Sequence, residues 1–284
     1  MTLAGLYRPR TVDEAVALLT EDPEARPLAG GATLVAMMNA RVIDPAALVS
    51  LAGIAELHGI GLHPDGRLRI GAFTRHRDTA ACRLPLGASI VVPRAAAQIA
   101  TATVRNMGTI GGAIAFADPA LDYPPALVAA GASIEIASPR GRRTVAAKDF
   151  FIDWYATALE PGELVVAVDL PASAAGNGVY VKFARVAGDY ATASVAVCLD
   201  ADGCRVAIGA CGPTPLSDPA VDALLSGDRS EAAVAQAGRL LVERADPLDD
   251  VRGSADYRRA LIPRLLARAI RALEPSSAGS AAGH

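Results

Sequence analysis

The chain predicts an α+β protein: two α/β or α+β subdomains sharing a cleft, followed by a sheet-plus-helix domain. Three observations carry this expectation. Strand and helix signals alternate around the glycine pair Gly30-Gly31 in the first fifty residues. From about Ile54 the pattern changes to hairpins interrupted by short apolar helices. Beyond the linker-like PASAAGNG at 171–178, three alternating strands precede three helical stretches. The expected divisions are 1–54, 55–172 and 173–275, with a disordered tail over 276–284.

Each element has a local reason. Thr11-Val12-Asp13-Glu14 is a capping box, with Thr11 as N-cap and Glu14 reaching back. Val12, Ala15, Val16 and Leu19 then form one apolar helical face. Arg26 to Ala29 reads as a strand running into Gly30-Gly31, Thr33 to Asn39 as a helix, and Leu48 to Leu51 as the closing strand of a β-α-β unit. GIGLHPDGRLRIGAF is a hairpin turning at Asp65-Gly66. Ala88 to Ala100 is an expected helix, and a short one from Pro124 to Ala130 is stopped by Gly131. ASIEIAS and RTVAA pair around PRGR, and ELVVAVDLP is a further strand. VYVKFARV, TASVAVCLD and CRVAIGACG form an antiparallel sheet turning at Asp202-Gly203. Helices follow at about Asp218 to Leu225, Ser230 to Glu243 and Ser254 to Leu273, where Pro263 should kink the last or end its first part.

Composition excludes several classes. The 284 residues are 52% hydrophobic and 20% charged, which fits a globular chain with a sizeable core. A net charge of -3 leaves no electrostatic footprint for nucleic acid, and 4% aromatics offer no base-stacking platform. No run approaches the ~20 apolar residues of a membrane span. Cys82, Cys198, Cys204 and Cys211 lack CxxC spacing and read as small buried hydrophobes in a reducing cytoplasm. His58, His63, His76 and His284 show no ligand spacing, and no catalytic triad or carboxylate pair appears.

Two glycine-rich loops hold the functional signal. Gly108, Gly111 and Gly112 fall within five residues around Thr109, and Asp122 follows ten residues after Gly112. Gly30-Gly31 lies about eighty residues earlier, at a strand-to-helix turn. Paired glycines allow φ > 0 and close approach of backbone to ligand, and converging N–H groups hold anions. Either pair alone also reads as a tight turn. Neither is G-x-G-x-x-G or a P-loop. Together they describe two walls around one large phosphorylated ligand.

VRNMGTIGGAIAFADPALDYPPALVAAGASIEI resembles the second flavin loop of the FAD-binding (medium) subunit of molybdenum-containing hydroxylases, the family of aerobic carbon monoxide dehydrogenase and xanthine dehydrogenase. LAGGATLVAMMNARVIDPAALVSLAGIAELHGI resembles the first loop, particularly of the carbon monoxide dehydrogenase-like branch. KFARVAGDYATASVAV and DPLDDVRGSADYRRAL agree, so the resemblance spans Pro9 to Leu273. It implies a two-subdomain FAD-binding fold of the PCMH or vanillyl-alcohol-oxidase-like type, then a carbon monoxide dehydrogenase flavoprotein C-terminal domain.

The same resemblance implies the site. Ala29, Gly30, Gly31, Ala32, Thr33, Leu34 and Val35, with Thr109, Ile110, Gly111, Gly112 and Ala113, would hold the FAD diphosphate and ribityl chain through backbone N–H groups. Asp122 would accept hydrogen bonds from ribose or adenine; on its own it reads equally as a helix N-cap. Lys182 matches a basic position near the isoalloxazine, and Tyr190 an aromatic that covers the ring; alone they read as a solvated strand lysine and a half-buried packing residue. Arg105-Asn106 reads as loop-fixing. Ala113 and Ala32 depart from relatives that carry polar residues there, each losing a hydrogen bond of roughly 1 kcal/mol.

The implied function is electron transfer. Molybdopterin-molybdenum in a large subunit would oxidise substrate, [2Fe–2S] clusters in a small subunit would relay electrons to this FAD, and the complex would be a cytoplasmic dimer of heterotrimers. The rivals are a stand-alone flavin oxidoreductase and a flavin-free assembly subunit.

Overall fold

The computed structural model describes residues 5–172 and 175–273. The expected tail at 276–284 and part of the linker lie outside them.

The first subdomain is a parallel three-stranded sheet. Strand β1 (Gly5–Tyr7), helix α1 (Val12–Glu21), β2 (Arg26–Leu28), α2 (Leu34–Asn39) and β3 (Ala47–Ser50) follow in order, and the strands pair as β1-β3-β2. Thr11 caps α1 by accepting from the Glu14 N–H at 3.1 Å. The Glu14 carboxylate reaches one residue beyond the box, accepting from the Arg10 N–H at 2.6 Å. The expected apolar face is the buried one: Val12, Ala15, Val16 and Leu19.

The second subdomain is a five-stranded antiparallel sheet with helices. Its elements are β4 (Ile60–Leu62), β5 (Leu68–Gly71), α3 (His76–Ala80), α4 (Val91–Ala96), α5 (Ala102–Met107), α6 (Ile110–Phe116), α7 (Tyr123–Ala129), β6 (Ser133–Ser138), β7 (Gly141–Ala146), α8 (Ala147–Phe150), the hairpin β8 (Phe151–Asp153) and β9 (Ala156–Thr157), and β10 (Leu164–Leu170). The sheet order is β4-β5-β10-β6-β7, and every residue of the central β10 is buried. The expected Ala88–Ala100 helix is shorter and divided: a 3-10 turn over Gly87–Ile90 leads into α4, which ends at Ala96. Tyr123 opens α7, with Pro124 and Pro125 in a first turn where an N–H is dispensable; Gly131 ends it at φ +66°.

The third domain pairs β11 (Asn177–Phe183), β12 (Ala193–Asp200) and β13 (Gly203–Gly209) in antiparallel order, followed by α9 (Pro219–Gly227), α10 (Glu231–Arg244) and α11 (Ala255–Leu273). Both faces of this sheet are covered. Tyr180, Ala196, Cys198 and Ala207 join the core of the preceding subdomains, while Val179, Val181, Val195, Val197, Val206 and Ile208 pack against the helices. Alternation along the strands therefore joins the domains. Helix α11 runs unbroken through Pro263, against the expected kink or stop. Gly238 of α10 faces the ring: a Cβ there would lie 2.9 Å from Pro263 Cβ. Among the described residues, no helix is long and apolar enough to cross a membrane.

One side chain fixes the second glycine loop from beneath. His76 opens α3, its N–H donates to the Gly108 carbonyl at 3.0 Å, and its Nδ1 hydrogen-bonds the Tyr123 hydroxyl at 3.3 Å. The ring presses on Gly108, where a Cβ would sit 2.5 Å from Nε2. Burial, with Arg105 adding to it, lowers the His76 pKa from 6.5 to about 4. The unfolded chain therefore binds the extra proton first as pH falls. The associated stability is present above about pH 6.5 and disappears on acidification towards pH 4, about 3 kcal/mol over the full window. His76→Asn should flatten that part of the pH dependence of thermal unfolding. A wild-type slope in the variant would exclude His76 as its source.

Candidate functional site

The two subdomains enclose a cleft of about 820 Å³ that both glycine loops line. This lies within the range of cofactor sites, roughly 300–1,000 Å³. Its apolar wall includes Met37, Ile43, Leu51, Ile99, Ala100 and Leu121.

The loops meet each other before they meet any ligand. A Cβ on Gly30 would collide with the Met107 carbonyl, so the first loop lies directly on the backbone that leads into the second. Arg105 braces that lead, donating to the Ile99 and Ala100 carbonyls at 2.7 Å each, and Asn106 accepts from Arg77 at 3.4 Å. Both have the loop-fixing role expected of them.

The loops differ in what their amides do. In the first, Gly31 takes φ +76°. The N–H groups of Gly30, Gly31, Ala32, Thr33 and Leu34 have no protein acceptor among the described residues. In the second, Ile110 N–H donates to Thr74 O at 3.0 Å, Gly111 N–H to Ala72 O at 2.9 Å, and Ala113 N–H to Thr109 O at 3.0 Å. Gly112 N–H donates to Thr109 Oγ1 at 3.2 Å, making Thr109 the N-cap of α6. The amides from 110 to 113 are thus already occupied, which corrects the expectation that both loops offer theirs. Gly111 is required by the fold: a Cβ there would lie 2.5 Å from Ala72 Cβ and 2.8 Å from its carbonyl.

Most of the expected residues share the cleft. Ala29 to Leu34, Thr109, Gly111, Gly112, Ala113, Asp122 and Tyr190 line it. Three do not. Ile110 is fully buried in the core, Val35 points outward at 40% exposure, and Lys182 stands behind Asp122. Of the two departures, Ala32 sits among free amides and Ala113 among occupied ones, so a polar side chain is missed more at 113.

Asp122 and Lys182 form a buried ion pair at 2.9 Å, with side chains 6% and 5% exposed. The Tyr180 hydroxyl donates to Asp122 Oδ1 at 2.7 Å. Lys182 Nζ also donates to Gln98 O at 2.8 Å and Asp189 O at 3.1 Å. Burial raises the Asp122 pKa against the lowering pull of Lys182 and Tyr180. The N-cap reading of Asp122 is not realised, because its carboxylate makes no hydrogen bond to α7. Nor is Lys182 a wall of the cleft or a solvated strand lysine; it ties Asp122 to the turn that carries Tyr190.

Sequence reasoning missed other lining groups: His76, Phe116, Gly188 and Tyr155. Tyr155 ends the β8–β9 turn at φ +54°; its hydroxyl donates to Asp118 Oδ2 at 3.2 Å and its ring meets Phe116 edge-on at 5.5 Å. The aromatic run FIDWYAT was the available signal, but a hairpin this short has no clear periodicity.

Comparison with known proteins agrees with this geometry. Residues 2–173 match the family described as the FAD binding domain in molybdopterin dehydrogenase, and residues 178–273 the CO dehydrogenase flavoprotein C-terminal domain. The medium chain of carbon monoxide dehydrogenase from Afipia carboxidovorans is 37% identical, over 93% of this chain and 94% of that one. The glyceraldehyde dehydrogenase medium chain of Sulfolobus acidocaldarius is 34% identical, over 93% and 96%. The solved structure of carbon monoxide dehydrogenase from Hydrogenophaga pseudoflava superposes with a TM-score of 0.91 at 36% identity, covering 96% of this chain and 97% of that one. With both family regions in order and a near-complete match in fold, the chain belongs to the FAD-binding medium subunits of the carbon monoxide dehydrogenase-type molybdenum hydroxylases.

Proposed function

We propose that this chain transfers electrons. It would receive them from the [2Fe–2S] clusters of a small partner subunit and pass them through FAD to an external acceptor. A large molybdopterin-binding subunit would oxidise the substrate. The complex would be a cytoplasmic dimer of heterotrimers.

The observation that carries this reading is the run of free amides from Gly30 to Leu34 at the edge of a large, mostly apolar cleft. Successive unpaired N–H groups suit an anionic diphosphate, and the apolar walls suit a flat ring system. Bound FAD would supply the redox chemistry. Ala29 to Thr33 would hold its diphosphate. Gly111 and Gly112 would present a close, side-chain-free wall beside Thr109, with Asp122 as acceptor and Tyr190 against the ring. These amides favour a flavin-holding chain over a flavin-free assembly subunit.

Three titratable groups in the cleft speak against a stand-alone oxidase. His76 is neutral and bonded to Tyr123, Asp122 is held by Lys182 and Tyr180, and Glu163 by Arg143 at 2.5 Å. None of these three is offered as a base to a substrate. Relatives named for carbon monoxide and for glyceraldehyde resemble this chain almost equally, which supports substrate selection on another polypeptide.

Two outcomes test the proposal. Ala32→Asp places a carboxylate among the free amides, satisfying them internally and repelling a diphosphate. It should leave thermal stability near wild type while raising the FAD dissociation constant about a hundredfold or more, the equivalent of two lost charge-assisted hydrogen bonds. Wild-type affinity would remove the first loop from the diphosphate site. In the assembled complex, anaerobic substrate should bleach the flavin absorbance, and the isolated chain should show no bleaching. Turnover by the chain alone at the complex's rate would favour the stand-alone flavoenzyme.

A further inference from the structure

Tyr190 forms part of the cleft wall at the end of a turn that is fixed at its backbone. Gly188 takes φ +84°, and a Cβ there would lie 2.7 Å from the Ala100 carbonyl. Asp189 accepts Lys182 at its carbonyl and the Tyr190 N–H at its own carboxylate, at 2.8 Å. None of these contacts holds the tyrosine ring. Its hydroxyl has no protein partner among the described residues, whereas Tyr155, on the same cleft, is anchored by Asp118 and Phe116.

The ring is met instead from the third domain. Arg252, in the turn between α10 and α11, places its guanidinium carbon 4.9 Å from the Tyr190 ring centroid. That turn is well determined: Asp250 accepts from the Arg252 N–H at 2.8 Å, the Gly253 N–H at 3.2 Å and the buried Arg258 at 2.5 Å. The head of Arg252 is less so. Its carboxylate neighbours stand at 3.4 Å (Asp250) and 3.8 Å (Asp189), beyond the 2.7–2.9 Å typical of a charge-assisted bond. Its buried Nε has no acceptor. A planar cation with loose ion pairs lies over a ring whose hydroxyl is unbonded among the described residues, so the stacking contact is the specific restraint on that ring.

We infer that Arg252 is the positioning residue for Tyr190: the third domain, through this cation–π contact, sets how firmly the aromatic wall closes the flavin cleft. The consequence for flavin rests on the FAD reading above; the contact itself does not. Burial raises the Tyr190 pKa while Arg252 lowers it, in keeping with their proximity.

The test uses the full chain with Arg252→Lys, which keeps charge without the plane, Arg252→Gln, which keeps a plane without charge, and Arg252→Ala. Hydroxyl-radical labelling of Tyr190 in the flavin-free chain, normalised to exposed Tyr7, should rise about fivefold or more in Arg252→Ala, with Lys and Gln between. Melting temperatures confirm that each variant is folded, and Lys and Gln serve if Ala is not. In the flavin-loaded chain, reoxidation by a small acceptor should quicken and the midpoint potential shift in Arg252→Ala. Both effects should vanish when Tyr190→Ala is already present. Unchanged Tyr190 labelling, or an Arg252 effect that persists without Tyr190, would overturn the inference. If the wild-type chain takes up no FAD, the function proposed above fails while the labelling still decides whether Arg252 holds Tyr190.

Discussion

The structure of the cleft depends on one close approach, that of Gly30 to the Met107 carbonyl. Two loops from different subdomains touch there, backbone on backbone, and any side chain at 30 would part them. The contact works because the second loop is packed or hydrogen-bonded on its other sides. Arg105 grips the Ile99 and Ala100 carbonyls, the His76 ring fills the space beneath Gly108, and Gly111 lies against Ala72. The first loop lies on this well-supported surface with its own amides left over.

That arrangement divides labour between two stretches that look alike on paper. The second loop turns its N–H groups inward to Thr74, Ala72 and Thr109, which secures its shape. The first is held by contact at Gly30 and by the left-handed backbone of Gly31, so its amides need no internal partner. The first N–H groups of a helix have no intrahelical partner, and here the half-buried stretch from Gly30 to Leu34 that leads into α2 carries them along the edge of the cleft. Five in succession with no protein acceptor among the described residues leave that edge able to receive an anion, which is the physical content of the proposed diphosphate role.

What was legible in the sequence follows from the range of the forces involved. The Thr11 cap, the Gly131 stop, the hairpins and the alternation of β11 to β13 are set by residues a few positions apart, and the fold class follows from their order. Readings that failed did so through distant partners. Asp122 looks like an N-cap until Tyr180 and Lys182, some sixty residues on, claim its carboxylate. Pro263 looks like a helix stop until Gly238 of α10 makes room for its ring. The glycine motifs located the cleft but not the direction of each neighbour: Val35 points away, Ile110 enters the core, and the amides at 110 to 113 are taken. Adjacency in the chain places a residue near the site; only the packed fold says what it faces.

Lys182 shows how such long-range pairing fixes the wall of the cleft. An ammonium has three N–H donors, and here they meet three acceptors: the Asp122 carboxylate, the Gln98 carbonyl and the Asp189 carbonyl. Burying a charge is costly unless it is paired and its donors are satisfied, and removing one partner of such a pair typically costs about 3–5 kcal/mol. The acceptors belong to the wall of the cleft, the segment leading to the second loop, and the turn bearing Tyr190. One buried cation thus locks the second subdomain to the third at the position where the cleft is walled. What it provides is fixed geometry: the Asp122 wall and the Tyr190 turn are held in register by one side chain.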